Sequence, residues 1–293
     1  MHKYLFAALL GLLCPASPVV AAADYKFEET KNLVKFVNRA AALIAEKGED
    51  AFPSFREPSS NWYHEDIYVF VWDMDGNRVV YPADRDAERI NLAALKDLDG
   101  KPLGELFLQA AKAGGGWVHY YWPQPGQKSA RWKSAYITAA KSPVTGIDYL
   151  VGSGMYNMAM EPAFIEDTVN KASELLIEKG TAAFSSFNDP AGPFIYAETY
   201  VFVINDKGVE VVDPPSPEYV GKDILGLTDS DGRFMVKDIL EKATEKGRWS
   251  KYTWPRPGSM KPSLKDTYVR KVTAGGQVYF VGSGIYMPDV YNK

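Results

Sequence analysis

Hydrophobic positions along this chain switch between two periods, and they do so twice in the same order. Leu33, Phe36, Val37, Ala40, Ala41 and Ile44 follow i, i+3, i+4 spacing until Gly48, which predicts an amphipathic helix. Ile165, Val169, Ala172 and Leu176 repeat the pattern up to Gly180. Runs rich in β-branched and aromatic residues follow at Tyr68–Trp72 and Tyr200–Ile204 and predict strands. The turn signals Asp75-Gly76 and Lys207-Gly208 lead into Val79-Val80 and Val211-Val212. A shorter helix is expected around Leu103, Leu106, Phe107 and Ala110, and again around Ile239, Leu240 and Ala243. Three more strands close each unit, near 116–122, 133–140 and 148–156, then near 248–254, 265–273 and 278–286. Helix, two strands, helix and three strands predict an α+β domain with an antiparallel sheet, present in two tandem copies.

The duplication is also written in single residues. Trp117, Tyr120, Trp122, Pro123, Pro125 and Gly126 return 132 positions later as Trp249, Tyr252, Trp254, Pro255, Pro257 and Gly258. Lys133 and Tyr136 return as Lys265 and Tyr268 at the same spacing. Gly152-Ser153-Gly154-Met155-Tyr156 matches Gly282-Ser283-Gly284-Ile285-Tyr286 at a spacing of 130, which places a two-residue deletion between Tyr268 and Tyr279. A period of this length is a domain, not a solenoid repeat. Chemistry shared by both copies must use residues that recur.

The chain opens as a secretion signal: Met1-His2-Lys3, then an apolar run from Tyr4 to Leu13 too short to span a bilayer, then Ala21-Ala22-Ala23 for cleavage before Asp24. Leu13 beside Cys14 fits a lipid-attachment box poorly, so ordinary cleavage is expected, leaving a chain without cysteine. The boundaries read as 1–23 for the signal, 24–156 for the first domain, 157–162 for a linker ending at Glu161-Pro162, and 163–293 for the second domain. No later stretch reads as a membrane span, so a soluble periplasmic or secreted protein is expected. With 33 Lys and Arg against 37 Asp and Glu, the acidity argues against nucleic acid as a partner.

Five motifs, in order and twice, resemble the Cache family of extracellular PAS-like sensor domains, in its single-Cache type. They are Tyr68-Val69-Phe70-Val71, Asp97-Leu98-Asp99-Gly100, Tyr120-Tyr121-Trp122-Pro123-Gln124-Pro125-Gly126, Lys133-Ser134-Ala135-Tyr136 and Gly152-Ser153-Gly154-Met155-Tyr156. In the second copy the acidic turn is Asp229-Ser230-Asp231-Gly232. The resemblance implies a PAS-like fold with a pocket between the sheet and the loops over it, and small carboxylates such as acetate or pyruvate as common ligands. Two positions depart from the family pattern. Ile67 and Thr199 stand where it often has Gly, and Tyr81 and Asp213 where it often has His before Pro.

On this basis the expected ligand-binding residues are Tyr68, Tyr120, Trp122, Lys133 and Tyr136 in the first copy, and Tyr200, Tyr252, Trp254, Lys265 and Tyr268 in the second. Tyr120 and Trp122 are two apart on a strand and face one side, where they either wall a pocket or fill the core. A Lys ammonium on a low-dielectric floor pairs with a carboxylate, and a nearby Tyr hydroxyl adds a donor. Arg131 is an extra cation in the first copy only, Ser263 replacing it. Trp117 and Trp249 have the opposite parity and read as packing.

Asp66 and Glu198, two residues before the first-strand Tyr, read as solvated loop acids or, in the competing reading, as partners for the ammonium of an amine or amino acid. The Asp97 and Asp229 turns lack the further ligands of a calcium loop and read as turns. Of the histidines beyond the signal, His64 and His119 become Tyr196 and Lys251 in the second copy, and no nucleophile elbow, phosphate loop or metal spacing is present. The expected function is recognition of a small organic solute, most simply a carboxylate, without turnover or cofactor. A membrane receptor or transport component is the expected partner. The competing reading is a structural or protein-interaction module with no small ligand.

Overall fold

The computed structural model describes residues 24–287 apart from 59, 65, 125 and 128, so the secretion-signal reading lies outside the described residues. The first half runs α1 (Glu28–Lys47), β1 (Phe70–Asp73), β2 (Arg78–Val80), α2 (Leu103–Lys112), β3 (Gly116–Pro123), β4 (Ala130–Lys141) and β5 (Asp148–Tyr156). The second runs α3 (Pro162–Lys179), β6 (Phe202–Asn205), β7 (Glu210–Val212), α4 (Met235–Lys242), β8 (Arg248–Pro255), β9 (Pro262–Ala274) and β10 (Gln277–Tyr286). Each half holds a five-stranded antiparallel sheet, in the orders β2-β1-β5-β4-β3 and β7-β6-β10-β9-β8.

Alternation along the strands splits each core into two layers. Val69 and Val71 turn to the face covered by α1, where Val37, Ala40 and Ile44 meet them. Tyr68, Phe70 and Trp72 turn to the other face, under α2 and its flanking loops, with Leu103, Phe107 and Tyr120. In the second half, Val201 and Val203 join Val169, Ala172 and Leu176 of α3. Tyr200, Phe202 and Ile204 lie with Met235 and Ile239 of α4. The long helix therefore seals one side of each sheet and leaves the other side to form a site.

One detail differs from the periodicity. The run Tyr68–Trp72 is not one strand: Ile67–Tyr68 pairs with Tyr63–His64 in a small hairpin, and the main sheet begins at Phe70. The second half breaks at the same place, with Thr199–Tyr200 pairing with Ile195–Tyr196. The shortened spacing lies in the hairpin between β9 and β10. Ala274 pairs with Gln277, and Gly275 and Gly276 turn the chain with φ of 57° and 78°. Two consecutive positive φ values make a tight hairpin turn that glycine adopts without strain. In the first half, Ser142 to Ile147 make a longer loop between the paired Lys141 and Asp148.

The halves meet through buried contacts. The carboxylate of Glu161, fully buried, accepts the backbone N–H groups of Lys26 and Phe27 at 2.8 Å each, at the start of α1. His119 lies nearly parallel to Tyr196 of the other half, with ring centroids 4.5 Å apart, and to Trp132 at 5.2 Å. Its Nδ1 sits 3.0 Å from Ser134 Oγ. Lys101, also buried, donates to the carbonyls of Gly192 and Ile195. Among the described residues no helix is long and apolar enough to cross a membrane.

Candidate ligand-binding sites

Register places the central cation of the first half. On β4, Lys133 pairs with Tyr120 of β3 on one side and Tyr156 of β5 on the other. Its side chain runs over the sheet because Gly154 leaves room: a Cβ there would stand 2.9 Å from Lys133 Cε. Gly152 does the same for Phe70, whose ring would lie 2.5 Å from a Cβ. The Gly-x-Gly-x-Tyr motif thus clears space for a ring and a lysine stem, and its Tyr puts a π face near the ammonium. Lys133 Nζ is 4.3 Å from the ring centre of Tyr156 and 5.1 Å from that of Tyr68.

Lys133, Tyr68, Phe70 and Tyr120 line a cavity of about 40 Å³, shared with Arg78, Tyr81 and Trp122. Lys133 is only 2% exposed, and among the described residues its ammonium meets the rings of Tyr68 and Tyr156 rather than a hydrogen-bond acceptor. Burial pulls its pKa down to about 8, opposed by the more distant Asp66. Arg78 Nε donates to the Ala87 carbonyl at 2.8 Å, and its guanidinium lies 4.0 Å from the ring centre of Tyr81. Tyr68 Oη donates to Tyr81 Oη at 3.3 Å. The lining carries two cations and no acid.

The second half repeats the frame with other charges. Lys265 on β9 pairs with Tyr252 and Tyr286, and Gly284 makes room for its stem at 2.9 Å from Cε. Its ammonium donates to Tyr200 Oη at 2.9 Å. Burial draws the Lys265 pKa down to about 7 against the opposing pull of Asp213 and Glu210. The cavity, again about 40 Å³, is lined by Lys265, Tyr252, Trp254, Tyr200, Glu210 and Asp213 among others. Glu210 and Asp213 stand 132 positions after Arg78 and Tyr81, so one copy carries a cation and a phenol where the other carries two acids.

Eight of the ten residues expected from sequence come together in the two cavities: Tyr68, Tyr120, Trp122 and Lys133, and Tyr200, Tyr252, Trp254 and Lys265. Tyr136 and Tyr268, also expected as ligand-binding residues, do not line either cavity. Three residues after a lysine on one strand, each faces the opposite side of the sheet. Tyr136 packs on Trp117 with centroids 5.3 Å apart. Tyr268 packs on Trp249 at 5.4 Å and donates its hydroxyl to the Lys246 carbonyl at 2.7 Å. Asp66 and Glu198 do not line either cavity: Asp66 accepts from Gln124 Nε2 at 3.2 Å, and Glu198 pairs with Arg256.

Arg78, Glu210 and Tyr156 were not singled out from sequence. The available signal for the first two was a charge reversal at matched positions of the repeat. Asp97 and Asp229 act as turn acids, each accepting two backbone N–H groups through Oδ1 at 2.9 Å. Among the described residues no group of three or more His, Cys, Asp or Glu is placed to hold a metal ion.

A sheet sealed by a long helix on one face and holding a buried cation among aromatic rings on the other defines a small-ligand sensor domain. The chain belongs to the single Cache domain 2 family, whose model matches residues 47–164 and again 176–293. It is similar to the methyl-accepting chemotaxis protein McpP of Pseudomonas putida, 30% identical over 91 residues that make up 30% of this chain and 16% of that protein. It is also similar to the sensor histidine kinase MctS of Rhizobium johnstonii, 32% identical over 94 residues, 32% of this chain and 20% of that one. The aligned stretches thus span at most a fifth of those relatives. Among solved structures, a Cache chemosensory domain described for carboxylic acid recognition aligns at 21% identity over 44% of this chain and 94% of its own, with a TM-score of 0.37. The ligand-binding domain of the Pseudomonas fluorescens chemoreceptor CtaA, in complex with L-serine, aligns at 12% identity over 88% and 89%, with a TM-score of 0.32.

Proposed function

We propose that the protein is an extracytoplasmic sensory binding protein whose first cavity captures a small monocarboxylate. The observation that carries this reading is the buried Lys133 ammonium, which among the described residues lacks a hydrogen-bond acceptor and lies in a cavity with Arg78 and no acid. An unmatched ammonium in a low-dielectric site favours an anion that brings two acceptor oxygens. The Tyr68, Tyr81 and Tyr120 rings border the same space and supply hydroxyl donors. Size narrows the class. A water needs roughly 10–15 Å³ of such space, so about 40 Å³ suits an acid of acetate or propionate size rather than a sugar or nucleotide.

The interaction-module reading needs exposed aromatics, whereas Tyr120 and Tyr252 are 4% and 6% exposed and face cavities. On our reading the protein recognises its ligand without turning it over, and a membrane receptor or transport component reads the bound state. Calorimetric titration of the chain with acetate, propionate and pyruvate tests the site. Binding is expected in the wild type and absent in Lys133→Met. Equal affinity in that variant would remove Lys133 from the site.

A further inference from the structure

We propose that the second cavity is a site for a small ammonium compound, held between Glu210 and Asp213. The proposal is independent of the carboxylate reading of the first cavity, because it rests on groups the first cavity lacks.

The two acids stand where the first copy has a cation and a phenol. Glu210, the first residue of β7, takes the place of Arg78, the first residue of β2. Asp213 follows that strand where Tyr81 stands in the first half. Both acids are buried, 4% and 5% exposed, and both line the cavity. Glu210 Oε1 and Asp213 Oδ1 have no hydrogen-bond partner among the described residues. Buried carboxylate oxygens without donors are costly, and one oxygen of each of these cavity-lining acids carries that cost.

Lys265, one cation facing two acids, relieves it only in part. Among the described residues no ion pair joins Lys265 to either acid, and its ammonium donates to Tyr200 Oη instead. Burial raises the pKa of both acids, Asp213 to about 6, against the opposing charge of the single Lys265. A primary ammonium brings three donors and one positive charge, matching the two open acceptors. Tyr252 and Trp254 add aromatic faces beside it, which attract a cation further. A carboxylate entering the same space would meet two acids and one lysine and be disfavoured. The volume of about 40 Å³ again limits the ligand to a few heavy atoms.

A protonated amine and the α-ammonium of a small amino acid share this chemistry. They differ in whether Lys265 also receives a carboxylate. Titration of the whole chain with ethylamine, glycine and acetate separates them. One equivalent of ethylamine or glycine is expected. Ethylamine binding assigns a simple amine, and glycine binding without ethylamine assigns a zwitterion reaching Lys265. The isosteric pair Glu210→Gln with Asp213→Asn is expected to weaken that binding at least tenfold and leave acetate binding at Lys133 intact.

A second variant, Glu210→Arg with Asp213→Tyr, gives the second cavity the groups of the first. It is expected to lose amine binding and to raise the acetate stoichiometry from one to two. No binding of either ammonium compound overturns the proposal, as does full affinity in the Gln/Asn variant. A second acetate equivalent in the wild type, lost in Lys265→Met, overturns it too. Loss of acetate binding in every protein, with amine binding retained, overturns only the carboxylate reading of the first cavity.

Discussion

Lys133 lies across the backbone of Gly154, so closely that a methyl group on that glycine would stand 2.9 Å from Lys133 Cε and 2.9 Å from the Ser134 carbonyl oxygen. The lysine reaches the cavity because this position has no side chain. Gly154→Ala must push the lysine stem or part the two strands, and overpacking of this kind costs about 1–3 kcal/mol. We expect that loss in urea denaturation, together with a drop in carboxylate affinity. Calorimetry on the same variant checks the second part, and unchanged affinity would show that the ammonium does not need this path.

Lys133 also sets a pH dependence. Its folded-state pKa near 8 lies below its ordinary value of 10.5, so the unfolded chain binds the proton more tightly between these limits. Stability of the ligand-free protein should therefore rise as pH goes from about 8 to 10.5. The difference of about 2.5 units corresponds to roughly 3 kcal/mol. Below pH 8 the native lysine is charged and that contribution is lost. Lys133→Met should abolish this rise and stabilise the ligand-free protein at neutral pH, while removing carboxylate binding. Thermal melts across pH measure both effects.

Carboxylate binding should show the opposite trend. An anion beside Lys133 raises its pKa, so binding near pH 8 takes up a proton and affinity falls as pH climbs further. Titrations in buffers of different ionisation enthalpy read the uptake directly. A buffer-independent heat at pH 8 would contradict it.

His119, half-buried between the halves, has its pKa lowered to about 3 by desolvation. Its ordinary value is 6.5, so its contribution is complete above that pH and is lost as pH falls towards 3. His119→Phe keeps a flat ring against Tyr196 and Trp132, and should flatten the acid limb of the stability profile between these limits. Chemical denaturation at stepped pH checks it.

Glu161 ties the start of α1 to the start of α3 through two N–H groups. Glu161→Ala leaves both without an acceptor, at a cost of about 2–4 kcal/mol. Faster hydrogen exchange at Lys26 and Phe27 should accompany the loss of stability.

Much of this was legible in the chain because it is local or repeated. Period 3.6 marked α1 and α3, alternation marked the strands, and recurrence at one spacing singled out Lys133 and Lys265. Even the shortened spacing found its place in the Gly275-Gly276 hairpin. The same alternation, applied to the interval between Lys133 and Tyr136, places them on opposite faces, and the structure does so.

Sequence alone determined two tandem α+β domains, a lysine in each, and the aromatic strand beside it. Tertiary structure decided which neighbours those lysines meet. Tyr156 reaches Lys133 through cross-strand register, and Arg78 or Glu210 reaches the same cavity from the edge of the sheet. The periodicity of one segment does not encode where another segment ends, because that position follows from how strands pair and what covers them. The charge in each cavity is set there.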